Sequence, residues 1–522
     1  MSLRAKGTPF MKLANTDSSA TTGGARTPAM STVGAIHVET SARELRLALS
    51  GLMLALTLAA LDQNIVATAL PRITGEFGSL QHLSWVVTSF IVASTVSAPL
   101  YGKLSDLYGR KPAFIASISI FLAGSALCGF AASMGQLIAF RTVQGLGAGG
   151  LIVLAQTVIG DLVSPRERGR YQGMFAAVFA ACSVAGPLLG GIITEYASWR
   201  WIFYVNLPVG GAALIAVGLR PKALDAKPRL DLPGAVLLTT GACSLLLALS
   251  WGGGAYAWLS APVLGLAAVA IGSFVALAVV ERRAAEPILP PELFGNSVFV
   301  VAAAVIALAM MALFAAVVFL PLMFQLLMDA SPTQAGLMLA PMMGGVIVAS
   351  VVGGRLVSRT GRYKVFPVFG LLAATLSYAA LAWAVRRGVH LLPVEAALVV
   401  MGLGIGLVMP NLTTAIQNAV PRRDLGAATA SAAFFRSLGG ALGAALAGAV
   451  LAAHLHGAAG DVGALPGGVL QIAELPAAER ALVLDAYRAG LSAAFTVGAV
   501  IAGLGFLAVL FLPERPLRGS AA

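Results

Sequence analysis

The stretch Leu61-Asp62-Gln63-Asn64-Ile65-Val66-Ala67-Thr68-Ala69-Leu70-Pro71 lies inside the first long apolar segment of the chain. Its one acid, Asp62, falls nine residues before Pro71, or about 13 Å below one membrane surface at 1.5 Å per helical residue. A charge at bilayer depth costs about 2.5–3.5 kcal/mol on insertion scales, so such residues are rare and functional. Few other apolar segments contain so deep an acid, and we select Asp62 as the first candidate for a group that exchanges a proton.

The composition is that of a membrane protein. Of 522 residues, 58% are hydrophobic and 11% charged, and the mean hydropathy is +0.88. Soluble domains contain about 25% charged residues, so this chain has too little polar surface to coat a globule in water. Recurring apolar stretches predict an all-α polytopic membrane protein. Basic loops explain the net charge of +12, and we expect no nucleic-acid partner.

Hydropathy predicts about fourteen membrane-spanning helices, each long enough to cross about 30 Å of hydrocarbon. The predicted spans are 47–70, 83–105, 113–132, 136–160, 170–193, 200–219, 232–251, 261–280, 297–322, 333–357, 364–385, 392–416, 425–452 and 489–512. They divide the chain into a flexible cytoplasmic tail (1–46), an N-terminal six-helix bundle (47–219), a linker with two inserted helices (220–296), a C-terminal six-helix bundle with an outer loop at 453–488 (297–512) and a cytoplasmic tail (513–522).

Loop charges predict the orientation of these spans. With the N-terminus in the cytoplasm, the inner loops contain eighteen Lys and Arg residues and the outer loops six. Because cytoplasmic loops are enriched in Lys and Arg, we expect a multi-pass protein of the inner (plasma) membrane with both termini cytoplasmic.

The sequence repeats one short pattern. Gly102-Lys-Leu-Ser-Asp-Leu-Tyr-Gly-Arg110 follows the second span, and Gly354-Arg-Leu-Val-Ser-Arg-Thr-Gly-Arg362 follows the tenth. Six spans in each half plus the inserted pair account for this spacing. Two related halves with a binding site between them are typical of secondary transporters.

A second deep charge matches Asp62 in depth. Arg141 lies about eight residues past Ser133 in the fourth span, or roughly 12 Å below the same surface. A buried charge needs a partner, so we predict that Arg141 influences the protonation of Asp62, directly or through water. The alternative is that the Arg141 side chain reaches back to the outer interface.

The first copy of the repeated pattern contains a candidate gating loop. Gly102 and Gly109 permit a tight connection between helices. Asp106 is an anion close to Arg110, and this pair is placed to lock or release the inner helix ends. The alternative is a loop that only sets topology and contains a routine surface ion pair.

The fifth span contains a candidate pliable element. Gly186, Pro187, Gly190 and Gly191 fall within six residues. Proline removes one helical hydrogen bond and bends a helix, whereas glycines favour close helix contact in lipid. The residues alone fit bending and tight packing equally well.

Taken in order, five motifs resemble those of the major facilitator superfamily, specifically its 14-span drug:proton antiporter branch (EmrB/QacA type). The match runs from about residue 47 to 512 and predicts the major facilitator fold, with two six-helix bundles and two inserted helices. The motifs are Leu61–Pro71 in the first helix, Gly102–Pro112 in the inner loop, Arg141 with Gln144 and Gly145 in the fourth helix, Gly186-Pro187 with Gly190-Gly191 in the fifth, and Trp199-Arg-Trp-Ile-Phe-Tyr-Val-Asn-Leu-Pro-Val-Gly210 at the start of the sixth.

The resemblance implies export of a small amphipathic compound by inward proton flow. In that family the first-helix acid and the fourth-helix arginine serve substrate binding or proton coupling, which assigns proton coupling to Asp62 and Arg141. The inner-loop residues gate conformational change, which assigns gating to Asp106 and Arg110. Export of a lipid or a self-made metabolite and, less favoured, proton-coupled import are the alternatives.

Other polar residues are candidates for the lining of a substrate cavity: Gln63, Asn64, Gln144, Asn411 and Arg436. Arg436, about a dozen residues from Arg423, either attracts an anionic substrate or counter-ion, or bonds to backbone carbonyls. We expect a small-molecule substrate, protons and the lipid bilayer as partners, and the need for a periplasmic adaptor stays open.

No enzyme chemistry is expected from this sequence. It contains no HExxH motif, no phosphate-binding loop and no plausible nucleophile–base set at one depth. Cys128, Cys182 and Cys243 lie far apart in apolar segments, without metal-ligand spacing. We expect no cofactor and no metal site.

Overall fold

The computed structural model describes residues 42–77, 83–216, 230–253, 256–388, 390–459 and 476–517. The predicted tail up to residue 41, the linker residues 217–229, the loop residues 460–475 and the last residues, 518–522, lie outside this part. Within it the chain is α-helical apart from connecting segments, one 3₁₀ turn and one isolated bridge. The predicted all-α class is confirmed.

The helices follow the predicted spans closely. In the N-terminal half they are α1 (Ala42–Phe77), α2 (Leu83–Tyr108), α3 (Arg110–Gly129), α4 (Met134–Leu162), α5 (Pro165–Tyr196), α6 (Trp201–Tyr204) and α7 (Asn206–Ala216). The inserted pair is α8 (Leu232–Trp251) and α9 (Ala261–Glu281), followed by the short α10 (Pro291–Phe294). The C-terminal half contains α11 (Ser297–Val317), α12 (Leu320–Leu327), α13 (Pro332–Leu337), α14 (Ala340–Thr360), α15 (Val365–Arg387), α16 (Leu391–Ala419), α17 (Leu425–Ala459) and α18 (Ala477–Leu510).

Thirteen helical segments of the described chain are long and apolar enough to cross a membrane, and the sixth predicted span is a shorter apolar segment, Trp201–Ala216.

Three predicted spans are interrupted. The interruptions fall at Val205, at 318–319 and at 338–339, three residues or fewer before Pro208, Pro321 and Pro341. Proline cannot donate the backbone hydrogen bond that continues a helix, which explains the position of each break.

Helices α17 and α18 extend into the predicted outer loop 453–488. Residues up to Ala459 continue α17, and α18 begins at Ala477. Alanine is the best helix former, and both extensions are alanine-rich, so the helices continue beyond the length that hydropathy requires.

Twelve of the spans form two bundles of six. In the first, α2 and α3 pack on α4, and α1 packs on α5 and α7. In the second, α14 and α15 pack on α16, and α17 and α18 pack on α11. The inserted helices α8 and α9 pack on each other, and α8 also contacts α2 and α17.

The two bundles meet through matching helix pairs, α2 with α17 and α5 with α14. Gly102 of α2 lies against Gly426 and Ala430 of α17, and Gly354 of α14 lies against the carbonyl of Gly169 in α5. Gly102 and Gly354 are the first residues of the two repeated patterns. Both contacts lie near the repeated loops, a side of the molecule that we call the basic side.

We expect Gly354→Ala to open the basic side. A methyl group at residue 354 would overlap the Gly169 carbonyl, whereas residue 344 of the same helix has open space around it. Overpacking of this kind costs about 1–3 kcal/mol, which here disfavours only the closed arrangement. Spin labels at Arg170 and Arg362 should therefore report a longer distance in Gly354→Ala. An unchanged distance, or the same change in the control Gly344→Ala, would contradict this reading of the contact.

Candidate functional site

An ion pair lies in the interior of the N-terminal bundle. Nη1 of Arg141 on α4 donates to Oδ2 of Asp62 on α1 over 2.6 Å. The side chains are 1% and 0% exposed, respectively. The Arg141 side chain therefore does not reach back to the outer interface, and the contact that depth matching suggested is direct.

The second carboxylate oxygen of Asp62 is also occupied. Nε2 of Gln144 and Nδ2 of Asn206 each donate to its Oδ1 over 2.8 Å. Both amides also donate to the Ser125 hydroxyl on α3, which in turn donates to the Phe203 carbonyl. An ionised carboxylate only accepts hydrogen bonds, so a cluster of donors around Asp62 fits its charged form.

Arg141 is held from several sides besides Asp62. Its Nε donates to the Val86 carbonyl of α2 over 3.3 Å, and its Nη1 donates to Oε1 of Gln144 over 2.8 Å. The Phe90 ring lies 4.0 Å from the guanidinium carbon, a distance typical of a cation–π contact. The guanidinium is thus fixed by α1, α2 and α4 together.

Two apolar clusters enclose this polar site along the bundle axis. On the basic side, Leu56 and Ala59 of α1 pack in a cluster with Leu151 of α4. On the opposite side, Ile65 of α1 and Leu137 of α4 belong to a second apolar cluster. Asp62 and Arg141 lie between these layers in both helices. The low local dielectric that results strengthens the ion pair and makes any unpaired charge costly.

A cavity of about 510 Å³ lies toward the side opposite the basic loops. It is lined by Glu76, Phe77, Ala132, Ser133, Met134, Gly135 and Ile138. Ile138 is one helical turn from Arg141 on α4. The lining of this cavity therefore comes within one helical turn of Arg141 along α4.

The predicted gating loop joins the two bundles on the basic side. Asp106 at the end of α2 accepts the backbone N–H groups of Gly426 and Ala427, over 3.0 and 2.8 Å, in the first turn of α17. A carboxylate at a helix N-terminus is stabilised by the unpaired N–H groups and the helix dipole. Arg110 holds this carboxylate at 2.5 Å and bonds Asp161 at 2.7 Å.

Glycine is required at position 109 of this loop. Gly109, between α2 and α3, has a φ of 95°. Side chains disfavour that region, and glycine enters it freely. The tight reversal places Arg110 one residue later, within reach of Asp106 and Asp161.

The second pair of helices closes the basic side differently. Arg166 near the start of α5 donates to the carbonyls of Ser358 and Arg359, at the end of α14. Arg168 donates to the Gln417 carbonyl over 3.1 Å. The side-chain hydrogen bonds that Asp106, Arg166 and Arg168 make between the two bundles all lie on this basic side, so the structure represents a state closed there.

The four residues of the α5 motif have different surroundings. A Cβ at Gly186 would lie 2.7 Å from that of Asn64, and one at Gly190 would overlap the Ile65 carbonyl and Thr68 hydroxyl. Both glycines thus permit close contact between α5 and α1. Gly191 has open space around it, and Pro187 is exposed within an uninterrupted helix. The surroundings of Gly186 and Gly190 favour tight packing, and α5 continues through Pro187 without a break.

The remaining candidate residues are dispersed. Gln63 is exposed, and Asn64 bonds to the Ala60 carbonyl of its own helix. Asn411 is fully buried and bonds to the Leu407 carbonyl, with its Oδ1 unpartnered. Arg436 is partly buried on α17. Gln144, predicted to line a substrate cavity, is buried in the Asp62 cluster.

Sequence reasoning assigned no role to Ser125 or Asn206, although both belong to this cluster. Each is a polar residue in an apolar segment, and Asn206 lies within the sixth-helix motif. Their contribution depends on which helix faces Asp62, which spacing along the chain does not specify.

We expect Arg141→Met to destabilise the protein by about 3–5 kcal/mol, because it leaves the Asp62 carboxylate buried without its counter-ion. Adding Asp62→Asn should recover at least about 1 kcal/mol, since the unpaired charge is then absent. A double-mutant cycle on the free energy of unfolding in detergent measures this coupling. The exposed Arg387→Met serves as control, and strictly additive effects would show that the two side chains are independent.

Comparisons with known proteins identify the family. The model of the Major Facilitator Superfamily matches residues 52–444. The uncharacterized transporter Rv1877 of Mycobacterium tuberculosis is 39% identical over 480 residues, which cover 90% of this chain and 69% of that protein. The multidrug transporter protein MdtP of Bacillus subtilis is 37% identical over 410 residues, covering 78% and 75%.

Solved structures agree on the fold. The crystal structure of the human organic anion transporter MFSD10 matches with a TM-score of 0.63 at 16% identity, covering 89% of this chain and 99% of that one. The family and its transporter-named relatives indicate a transporter and not an enzyme. The helix content and the solved structures confirm the predicted major facilitator architecture. The chain therefore belongs to the Major Facilitator Superfamily, as a multi-pass membrane transporter related to efflux pumps.

Proposed function

We propose that the protein exports small amphipathic compounds across the plasma membrane in exchange for protons, by alternating access of its two bundles. The basic side then faces the cytoplasm, with both termini there. The observation that carries this proposal is the enclosed Asp62 carboxylate, paired with Arg141 at 2.6 Å between two apolar layers.

Protonation of Asp62 changes the balance of this cluster. The neutral acid has lost the charge that attracts Arg141, and it has gained a hydrogen that needs an acceptor. Three donor side chains then face a group that has a donor hydrogen of its own and is a weaker acceptor than the carboxylate. The donors must rearrange, and they belong to α4 and α7, which pack on α1. One proton therefore alters contacts among several helices of one bundle.

The cavity opposite the basic side supplies a route for that proton. Its lining includes Glu76 and Ser133 at the ends of α1 and α4. Arg200 and Trp199 donate to Glu76 and hold the pKa of this carboxyl below its usual range. Glu76 is thus an anion at the mouth, and Ile138 of the cavity lining lies one helical turn from Arg141.

Because the basic side is closed, we assign this structure to the step of the transport cycle that precedes opening toward the cytoplasm. Asp62 is paired while Asp106 holds the start of α17 and Arg166 holds the end of α14. A proton that enters from outside weakens the Asp62–Arg141 pair, and the balance shifts toward release of the basic-side bonds. Substrate then binds from the cytoplasm, Asp62 loses its proton inward, and the basic side closes again.

We expect Asp62→Asn to abolish transport driven by a proton gradient, because the amide cannot exchange a proton. Everted membrane vesicles with an imposed gradient, tested on chemically diverse toxic compounds, measure this effect with and without an uncoupler. Accumulation should fall to that of vesicles without the protein.

Glu195→Gln is the matched control, since it makes the same chemical change on an exposed side chain of α5. Intact, uncoupler-sensitive accumulation in Asp62→Asn would show that this residue is not the coupling site. If the unaltered protein moves no compound under any gradient, the export proposal is wrong.

A further inference from the structure

Arg436 has a different environment from the other interior cations. It lies eleven residues after Leu425, the first residue of α17, so it is about 16 Å from the basic-side end of that helix. This places it near mid-membrane. Thr429, seven residues earlier on the same face, bonds to Gln417 of α16, and Gly440, four residues later, lies against Phe314 of α11. The face therefore points toward neighbouring helices of the bundle.

No partner neutralises Arg436 among the described residues. Within this part of the chain it makes no salt bridge, side-chain hydrogen bond or cation–π contact, whereas Arg141 makes all three. Three carboxylates of the N-terminal bundle are engaged with other cations: Asp62 pairs with Arg141, and both Asp106 and Asp161 pair with Arg110. Glu395, on the neighbouring α16, lies four residues after Leu391, at the opposite end of that helix. Arg436 is therefore an uncompensated positive charge near mid-membrane.

An unpaired guanidinium at this depth is costly unless an anion or water reaches it. Arg436 retains partial exposure, so an anion or water that reaches this depth can contact its side chain. Its planar group of five donors matches the geometry of a carboxylate or sulfonate.

Apolar rings adjoin the same position. Phe314 is 37% exposed, and its ring lies 3.1 Å from where a Cβ of Gly440 would stand. Phe435 precedes Arg436 and packs against Phe434 and Phe294. A cation beside an accessible aromatic ring fits a ligand that has one anionic group and an apolar body.

We propose that Arg436 binds the anionic group of the transported compound, so that the protein selects amphipathic organic anions over cations. This inference rests on the proposed export function and specifies its substrate class. The charge balance at mid-membrane supports it: Asp62 is neutralised by Arg141, so the field of Arg436 repels a cationic ligand and attracts an anionic one.

The test uses two probes that share a ring system and differ in permanent charge, naphthalene-2-sulfonate and 2-naphthyltrimethylammonium. Full-length protein in proteoliposomes transports each probe under an imposed pH gradient. We expect faster transport of the sulfonate. Arg436→Met should lower its kcat/KM roughly ten- to hundredfold, as expected for the loss of charge-assisted hydrogen bonds. Arg436→Lys, which keeps the charge without the planar fork, should lose less.

Arg387→Met is the matched control, because it removes an arginine charge from an exposed position at the end of α15. Ligand-induced change in Tm of each purified variant separates binding from folding. The sulfonate should raise the Tm of the unaltered protein and of Arg387→Met, and should raise it much less in Arg436→Met.

Two results would overturn the inference: preference of the unaltered protein for the ammonium probe, or unchanged sulfonate transport by Arg436→Met. Neither result removes the export function, provided that transport still depends on the gradient and on Asp62. Absence of gradient-driven movement of both probes and of the diverse toxic compounds would instead overturn both proposals.

Discussion

A buried carboxylate that must keep its hydrogen-bond donors is the constraint on which the N-terminal bundle depends. Asp62 on α1 is 0% exposed, and its donors come from Arg141 and Gln144 on α4 and from Asn206 on α7. Ser125 on α3 links the two amides. The hydrogen bonds around this one charge therefore fix the positions of α1, α3, α4 and α7 relative to one another. Apolar layers on both sides exclude water, so the donors cannot be replaced and the cluster responds as a unit when the charge is neutralised.

The two bundles meet under a second constraint, which is close backbone contact. Gly102 against Gly426 and Gly354 against Gly169 allow the helices to approach to distances that side chains forbid. The polar groups then differ between the two contacts. In the contact of α2 with α17, the Asp106 carboxylate accepts N–H groups at the start of α17. In the contact of α5 with α14, the Arg166 guanidinium donates to carbonyls at the end of α14. In both, the charge has the sign that the adjacent helix dipole favours.

The inserted helices are attached to the same region. Lys103, directly after Gly102, forms a 2.6 Å ion pair with Glu286 in the segment that follows α9. Glu281 at the end of α9 accepts backbone N–H groups from Ile288 and Leu289, which shapes that segment. The inserted pair therefore contacts α2 at the point where α2 meets α17, and any movement of the basic side must carry or break this contact.

By itself, the sequence determined the membrane class, the number and approximate bounds of the spans, and the two deep charges. These follow from hydropathy and from the cost of burying a charge, which act locally along the chain. The helix breaks before Pro208, Pro321 and Pro341 could in principle have been predicted from the sequence, because proline disrupts the hydrogen bonding of its own helix. The matched depths of Asp62 and Arg141 could be counted, since each helix rises by a constant amount per residue.

Only the tertiary structure decided which residues share a site. Depth gives one coordinate, and the rotation and neighbours of each helix give the others. In the structure Gln144 therefore belongs to the Asp62 cluster, together with Asn206 and Ser125. Gly190 packs against α1, whereas Gly191, predicted to act with it, has open space around it. The same reason distinguishes two arginines of similar depth: Arg141 faces a carboxylate across its bundle, and Arg436 faces none in the part of the chain that the structure describes. Helix packing, and not the spacing of residues along the chain, brings a charge to its partner.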